Sequence, residues 1–321
     1  MKTTNTKTRP YPKKRLGQHF LSDGNMISKI VRTAGVSEAD HVLEIGPGRG
    51  DLTRALRNAG AYVTAIEIDG GLVEALGERF KGDGRFTLIH GDALKIPFSG
   101  LSGRDGIASP RSQLRLKSVS NLPYNISGPM LFKFLEERKS FTKIVLMLQK
   151  EVASRLVAAP STKDYGILSV LLRVYFDVKV EFDVPRELFH PRPKVASSVV
   201  SLSALPGPRI PVSDEGLFIS VVKAAFGQRR KTLSNALKAL RLKADIPGAP
   251  STTLGTKAWK VTEALSPKVV LGALYAAGID PERRGETLTL PEFGRLCDAV
   301  FKSLNGKTSQ DNAGFFFKNN G

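Results

Sequence analysis

The chain has 321 residues, with 48 Lys and Arg against 30 Asp and Glu, a net charge of +18. Its hydrophobic fraction of 41% is near the globular average, which excludes a disordered chain and leaves length for a large core with a smaller appended domain. A lone thiol, Cys297, excludes an internal disulfide and a cysteine-based metal site, and no apolar run reaches the roughly 18 residues that span a bilayer, so a soluble, cytoplasmic protein is expected.

The charge is a statement about partners, and it is clustered. Lys2, Lys7, Arg9, Lys13, Lys14 and Arg15 precede any acidic residue and form a basic N-terminal arm over residues 1–15. Beyond the arm, short apolar runs alternate with helical patterns. His41–Ile45, Tyr62–Ile66, Phe86–Ile89 and Lys143–Leu148 read as strands, being short and rich in β-branched residues, and helices are predicted over Asp51–Asn58, Gly70–Phe80 and Pro129–Arg138. Strand and helix alternating in this way predict an α/β fold, a parallel sheet covered on both faces that binds ligands beyond the carboxyl ends of its strands. Extended segments over 174–184 and 197–202 complete the sheet, the second following the Pro-rich turn His190-Pro191-Arg192-Pro193.

After Leu205 the pattern becomes helical. Residues 1–205 are expected to form the sheet domain, 206–303 a smaller helical domain opened by the linker-like Pro206-Gly207-Pro208, and 304–321 a fraying tail. Within the second domain Lys223, Arg229, Arg230, Lys231, Lys238, Arg241 and Lys243 run without an intervening carboxylate. Apolar positions between Ala224 and Leu242 recur at helical spacing, so one helix presenting these cations to phosphates is predicted. A Ser-, Gly- and Arg-rich insertion spans 100–117, and the histidines are scattered without ligand spacing, giving no support for a metal site.

Three strand ends carry chemistry. Glu44-Ile45-Gly46-Pro47-Gly48-Arg49-Gly50 is a glycine turn between a strand and a helix, where backbone can approach a ligand closely. Glu67 ends the second strand about twenty residues on, where a carboxylate accepts from ribose hydroxyls, and Asp92 follows the third. Asp51 stands where a dinucleotide motif requires its third glycine, so the loop suits S-adenosylmethionine, which has a ribose and an adenine but no phosphate, better than NAD.

A fourth strand end bears Asn121-Leu122-Pro123-Tyr124-Asn125-Ile126-Ser127. The exocyclic amine of adenine is a poor nucleophile because its lone pair is delocalised into the ring. The Asn121 side-chain oxygen and the Leu122 carbonyl can accept both amine hydrogens and favour the pyramidal nitrogen that develops during methyl transfer. Pro123 rigidifies the turn and Tyr124 can stack on an extruded base.

With this motif the sequence resembles the rRNA adenine N6-dimethyltransferases, most closely their bacterial small-subunit branch. The resemblance covers roughly residues 12–300 through further blocks: Leu16-Gly17-Gln18-His19-Phe20-Leu21, Glu67-Ile68-Asp69, Gly91-Asp92-Ala93, Leu148–Val152, Pro193-Lys194-Val195 and Ala225–Thr232. It implies a Rossmann-like S-adenosylmethionine-dependent methyltransferase domain with a C-terminal helical domain. It also implies that the cofactor contacts His19, Leu21, Gly46, Glu67, Asp92 and Asn121, that Asn121, Leu122, Pro123 and Tyr124 carry the catalysis, and that Arg229, Arg230 and Lys231 bind RNA. His19 stands where some members have Asn, which shifts the emphasis to the backbone of that segment. The implied substrate is a pair of adjacent adenosines in a hairpin near the 3′ end of 16S rRNA, dimethylated by a monomeric enzyme on a pre-30S particle late in subunit assembly. A large-subunit rRNA methyltransferase, a DNA adenine methyltransferase and a non-catalytic RNA-binding factor are the alternatives.

Overall fold

The computed structural model describes residues 17–38, 40–101, 115–240 and 265–315, with side chains described as far as Asn305. The basic arm of residues 1–15, most of the 100–117 insertion, and Arg241 and Lys243 lie outside the described residues.

The chain divides into two compact units, one of residues up to Ser154 together with Phe176–Ala204, the other of Arg155–Tyr175 together with the residues from Leu205 onward. The sequence placed a single boundary after Leu205. The second unit claims 155–175 as well, because α6 (Ile167–Tyr175), a helix whose residues are largely buried, packs on a helix that follows the linker.

The first unit begins with β1 (Phe20–Leu21) and α1 (Gly24–Ala34). The sequence reading passed over α1, although its signals are local: Asp23 Oδ1 caps it by accepting from Met26 N–H at 2.7 Å, Gly35 ends it in the left-handed region, and Ile27, Ile30 and Ala34 form its buried stripe. Such a cap contributes about 1 kcal/mol. β2 (His41–Ile45), α2 (Asp51–Asn58), β3 (Tyr62–Glu67), α3 (Gly70–Arg79), β4 (Phe86–His90), β5 (Leu116–Asn121), α4 (Ser127–Glu136), β6 (Phe141–Gln149) and the first half of α5 (Lys150–Val157) follow, and the unit closes with β7 (Phe176–Val184), β8 (Phe189–His190) and β9 (Ser197–Ala204). The predicted strands and helices of this half therefore recur to within about two residues at each end, as fraying ends allow.

Seven strands form one sheet in the order β4-β3-β2-β5-β6-β9-β7. The first five are parallel and β9 and β7 antiparallel to their neighbours. Its parallel strands are apolar runs because helices cover both faces, and Leu43, Ala65, Val119 and Ile144 are fully buried. The order reverses between β2 and β5, which pair only at Val42–Lys117 and Leu43–Ser118. Beyond that register the backbones part. The Ser120 hydroxyl bridges the gap by accepting from Ile45 N–H at 2.9 Å, and a crevice opens at the carboxyl ends of the two strands.

The second unit holds α6, α7 (Glu215–Gly227), α8 (Leu233–Ala236), α9 (Pro267–Ala276) and α10 (Leu290–Phe315). The single helix predicted across 224–242 is broken. Gln228 leaves the helical region, and Leu233 N–H and Ser234 N–H donate to the carbonyls of Arg283 and Pro281, which restarts the chain as α8 on a new axis. The apolar spacing continues across the break and so conceals it. Helix α10 runs on to Phe315, past Leu304 where the sequence predicted a fraying tail; residues 316–321 lie outside the described residues.

Candidate active site

A cavity of about 130 Å³ occupies the crevice between β2 and β5, within the first unit. Its walls include every residue predicted for cofactor and catalysis: His19, Leu21, Gly46, Glu67, Asp92, Asn121, Leu122, Pro123 and Tyr124. Arg229, Arg230 and Lys231 belong to the other unit and are exposed on the turn between α7 and α8.

The glycine loop is shaped by contact as well as by φ. Gly48 has φ 59°, and a Cβ there would stand 2.8 Å from the Phe20 ring; Gly50 has φ 79°, and its Cβ would stand 2.7 Å from Leu76 Cδ2. Any side chain at either place meets both backbone strain and a packed neighbour. Phe20, which the sequence did not single out, thus lies across the loop. Arg49 stacks its guanidinium 4.7 Å from the centre of that ring.

Glu67 is 4% exposed. Its Oε1 accepts from the backbone N–H groups of Ile68 and Asp69, both at 2.9 Å, and its Oε2 from that of Gly48 at 3.3 Å. Burial raises its pKa, and the three N–H donors oppose the shift. Asp92 Oδ1 accepts from Leu94 N–H at 3.0 Å, which turns the chain after β4 and leaves Oδ2 for a ligand.

Glu44 is the residue that sequence reading included in the loop without a role. It is 1% exposed, its Oε2 has no hydrogen-bond partner, and its pKa is pushed up to about 8. Burial is the main cause, and the charges of Glu67 and Asp51 add to it. The Thr53 hydroxyl lies close enough to oppose the shift but not in bonding geometry, since Thr53 Oγ1 is likewise buried without a partner. Burial could not have been read from the sequence; an acidic residue in the middle of an apolar strand was the available signal.

The orientation of Asn121 follows from its neighbour. Its Nδ2 donates to the His19 carbonyl oxygen at 3.0 Å. A carbonyl only accepts, so the amide nitrogen must face it and Oδ1 is left as an acceptor. His19 is held in turn: its Nδ1 lies 2.7 Å from the Pro191 carbonyl oxygen, which fixes the proton on Nδ1. The segment carrying His19 is fastened to the unit's far end by β1, which pairs antiparallel with β8 through Phe20–His190 and Leu21–Phe189. Leu122 N–H donates to the Met147 carbonyl at 3.2 Å, and a Cβ on Gly46 would lie 3.3 Å from Pro123 Cδ, so the glycine loop and the Asn-Leu-Pro-Tyr turn form adjacent walls.

Strand order and cavity together define a Rossmann-like methyltransferase architecture. A family model described as ribosomal RNA adenine dimethylase matches residues 11–258. The chain belongs to that family. It is 46% identical to the ribosomal RNA small subunit methyltransferase A of Pelotomaculum thermopropionicum, over 90% of this chain and 91% of the relative. To the protein of the same name from Geobacter metallireducens it is 43% identical, over 92% and 97%. Among solved structures, a dimethyladenosine transferase from Plasmodium falciparum superposes with a TM-score of 0.66 at 26% identity, covering 88% of this chain and 98% of that one. The 23S rRNA methyltransferase ErmE, at 24% identity and a TM-score of 0.59, shares the fold.

Proposed function

We propose that this protein transfers methyl groups from S-adenosylmethionine to the N6 amines of two adjacent adenosines in a hairpin near the 3′ end of small-subunit rRNA. The observation that carries the reading is Asn121. Its amide is turned by the His19 carbonyl so that Oδ1 accepts, in the same cavity as the glycine loop and Glu67.

The residues fit the cofactor. The cavity is lined by Asp51, Glu67 and Asp92, with Arg49 as the one Lys or Arg among the described residues of its wall, a balance suited to a ligand carrying a sulfonium and an ammonium. Glu67 would take the ribose hydroxyls, Asp92 the adenine amine, and the backbone of His19 and Leu21 with Gly46 the remainder. When bound, the cofactor supplies a methyl group on a positively charged sulfur.

The chain's own residues prepare the acceptor. Asn121 Oδ1 and the Leu122 carbonyl accept the two amine hydrogens, which draws the nitrogen lone pair out of conjugation and toward the methyl group. Tyr124 stacks on the extruded base, and Pro123 keeps the turn from relaxing. No buried base is needed, because the amine proton is released to solvent after the C–N bond has formed.

Arg230 and Lys231, exposed on the turn between α7 and α8, would meet RNA phosphates. The setting is a pre-30S particle in the cytoplasm, with the enzyme acting as a monomer. The test is a mass-spectrometric map of small-subunit rRNA from cells with and without the gene. Two adjacent dimethyladenosines that vanish with the gene are expected, and an unchanged map overturns the reading.

A further inference from the structure

Tyr124 lines the cavity, and its hydroxyl meets a residue outside every motif. Tyr124 Oη lies 2.7 Å from Ser197 Oγ, 73 residues away in sequence. Ser197 is the first residue of β9 and is fully buried. Its backbone is fixed on both sides, paired with Gln149 of β6 and Val184 of β7, so its hydroxyl is anchored where two antiparallel ladders end. The Tyr124 ring also lies 5.3 Å from the His19 ring, tilted by 32°. His19 is held by Pro191, immediately after the β8 strand.

We propose that Ser197 is a positioning residue for base capture: its hydroxyl fixes where the Tyr124 ring stands, beside the His19 ring that restricts its rotation, so that the ring meets an extruded adenine face to face. The inference rests on the reading of Tyr124 as the stacking residue.

Two physical points support it. A 3₁₀ turn carries Tyr124, and its N-terminal flank, Pro123, has no N–H to hold it, so the ring needs a tether from elsewhere. Pinning the hydroxyl at the far end fixes χ1 and so the place of the ring, while the His19 ring 5.3 Å away restricts its rotation about χ2. The ring is then preorganised, and ordering it costs nothing when the base arrives. Stacking needs only a ring, which phenylalanine would also provide. The hydroxyl and its partner are what the structure adds.

The test is a double-mutant cycle on the full-length protein, with unmethylated small subunits as acceptor and radiolabelled methyl transfer as readout. Ser197→Ala and Tyr124→Phe should each lower kcat by about tenfold, the equivalent of one lost hydrogen bond, while cofactor affinity measured by calorimetry stays within about twofold. The double variant should be no slower than either single one. Tyr124→Ala, which removes the ring, should cost about a hundredfold or more through lost stacking and lost positioning.

If Ser197→Ala and Tyr124→Phe stay within about twofold of the parent while Tyr124→Ala is severely impaired, the positioning role is wrong and the stacking reading stands. If Tyr124→Ala is itself active, the stacking reading fails. Effects that multiply in the double variant, or a loss of cofactor affinity in Ser197→Ala, show a packing role and overturn the inference. Should Ser197→Ala not fold, Tyr124→Phe decides alone, and near-parental activity overturns it.

Discussion

The strand-end motifs of the first unit and the basic run of the second carry the strongest signals in the sequence, and they fold into different uses. In the first unit, Asp92 and Asn121 are each held through one atom and keep the other for a ligand. Asn121 spends its nitrogen on the His19 carbonyl and keeps its oxygen. In the second unit, Arg229 spends its charge on the fold: Nη2 donates to the carbonyls of Lys163 and Tyr165, both at 2.8 Å, and Nε lies 3.4 Å from Glu286 Oε2. Arg230 and Lys231, its neighbours in sequence, are exposed. A motif in which geometry is required identifies its residues. A charge run identifies only a neighbourhood, because a cation that braces two carbonyls looks the same in sequence as one that meets a phosphate.

The sharpest way to break this contrast is at Asn121. Asn121→Ala should lower methyl transfer by about 10²–10³-fold, the loss typical of one transition-state acceptor or donor, with RNA affinity unchanged in a filter-binding assay. Comparable loss of binding and transfer would mean that the residue is structural.

A smaller and opposite split is expected in the basic run. Arg229→Met should destabilise the protein by about 0.5–1 kcal/mol, seen in thermal melts, because two partly exposed carbonyls lose a charged donor that water only partly replaces. RNA affinity in the folded variant should keep its salt dependence. Arg230→Ala with Lys231→Ala should leave the melting temperature in place and flatten the slope of log affinity against log salt by about 0.7–0.9 per charge removed. If Arg229→Met alone flattens the slope, the division between brace and contact is wrong.

A third test concerns Glu44 and separates fold from site by pH. Its pKa in the folded protein is about 8, above the ordinary carboxylate value, so the folded state holds a proton that the unfolded state gives up. The stabilising contribution is complete below the unfolded value, near 4.5, and is lost as pH rises through 8. Glu44→Gln should therefore melt with less dependence on pH between 5 and 8 than the parent, the two curves diverging most at the alkaline end. Parallel curves would show that Glu44 is ionised in the folded protein.

The sequence revealed the local half of this architecture. Helix α2 is legible because Leu52 and Leu56 fall one turn apart behind a glycine turn, and β2 because Val42, Leu43 and Ile45 fill a strand too short for anything else. Strand ends then locate the acids. Missing from the sequence is whatever depends on pairing at a distance. Nothing near Phe20–Leu21 signals a strand, since the partner Phe189–His190 lies at the far end of the unit. Ser197 carries no mark either, being one of four serines in β9, of which those at 197, 198 and 201 are buried. The break at Gln228 is hidden for another reason: helical periodicity is a local count, and two short helices on different axes can keep it.

The β1–β8 pairing also sets an order in time. His19 and the Pro191 that holds it are 172 residues apart in the chain. At a synthesis rate of about 5–20 residues per second, one wall of the cavity waits on the order of ten to thirty seconds for the residues that fasten it. The glycine loop and the first parallel strands can assemble during that interval, but the Asn121 amide has no fixed partner until the last strands of the unit emerge. An enzyme that modifies ribosomal RNA thus cannot complete its own cavity until the residues up to Pro191, of 321, have passed through a ribosome.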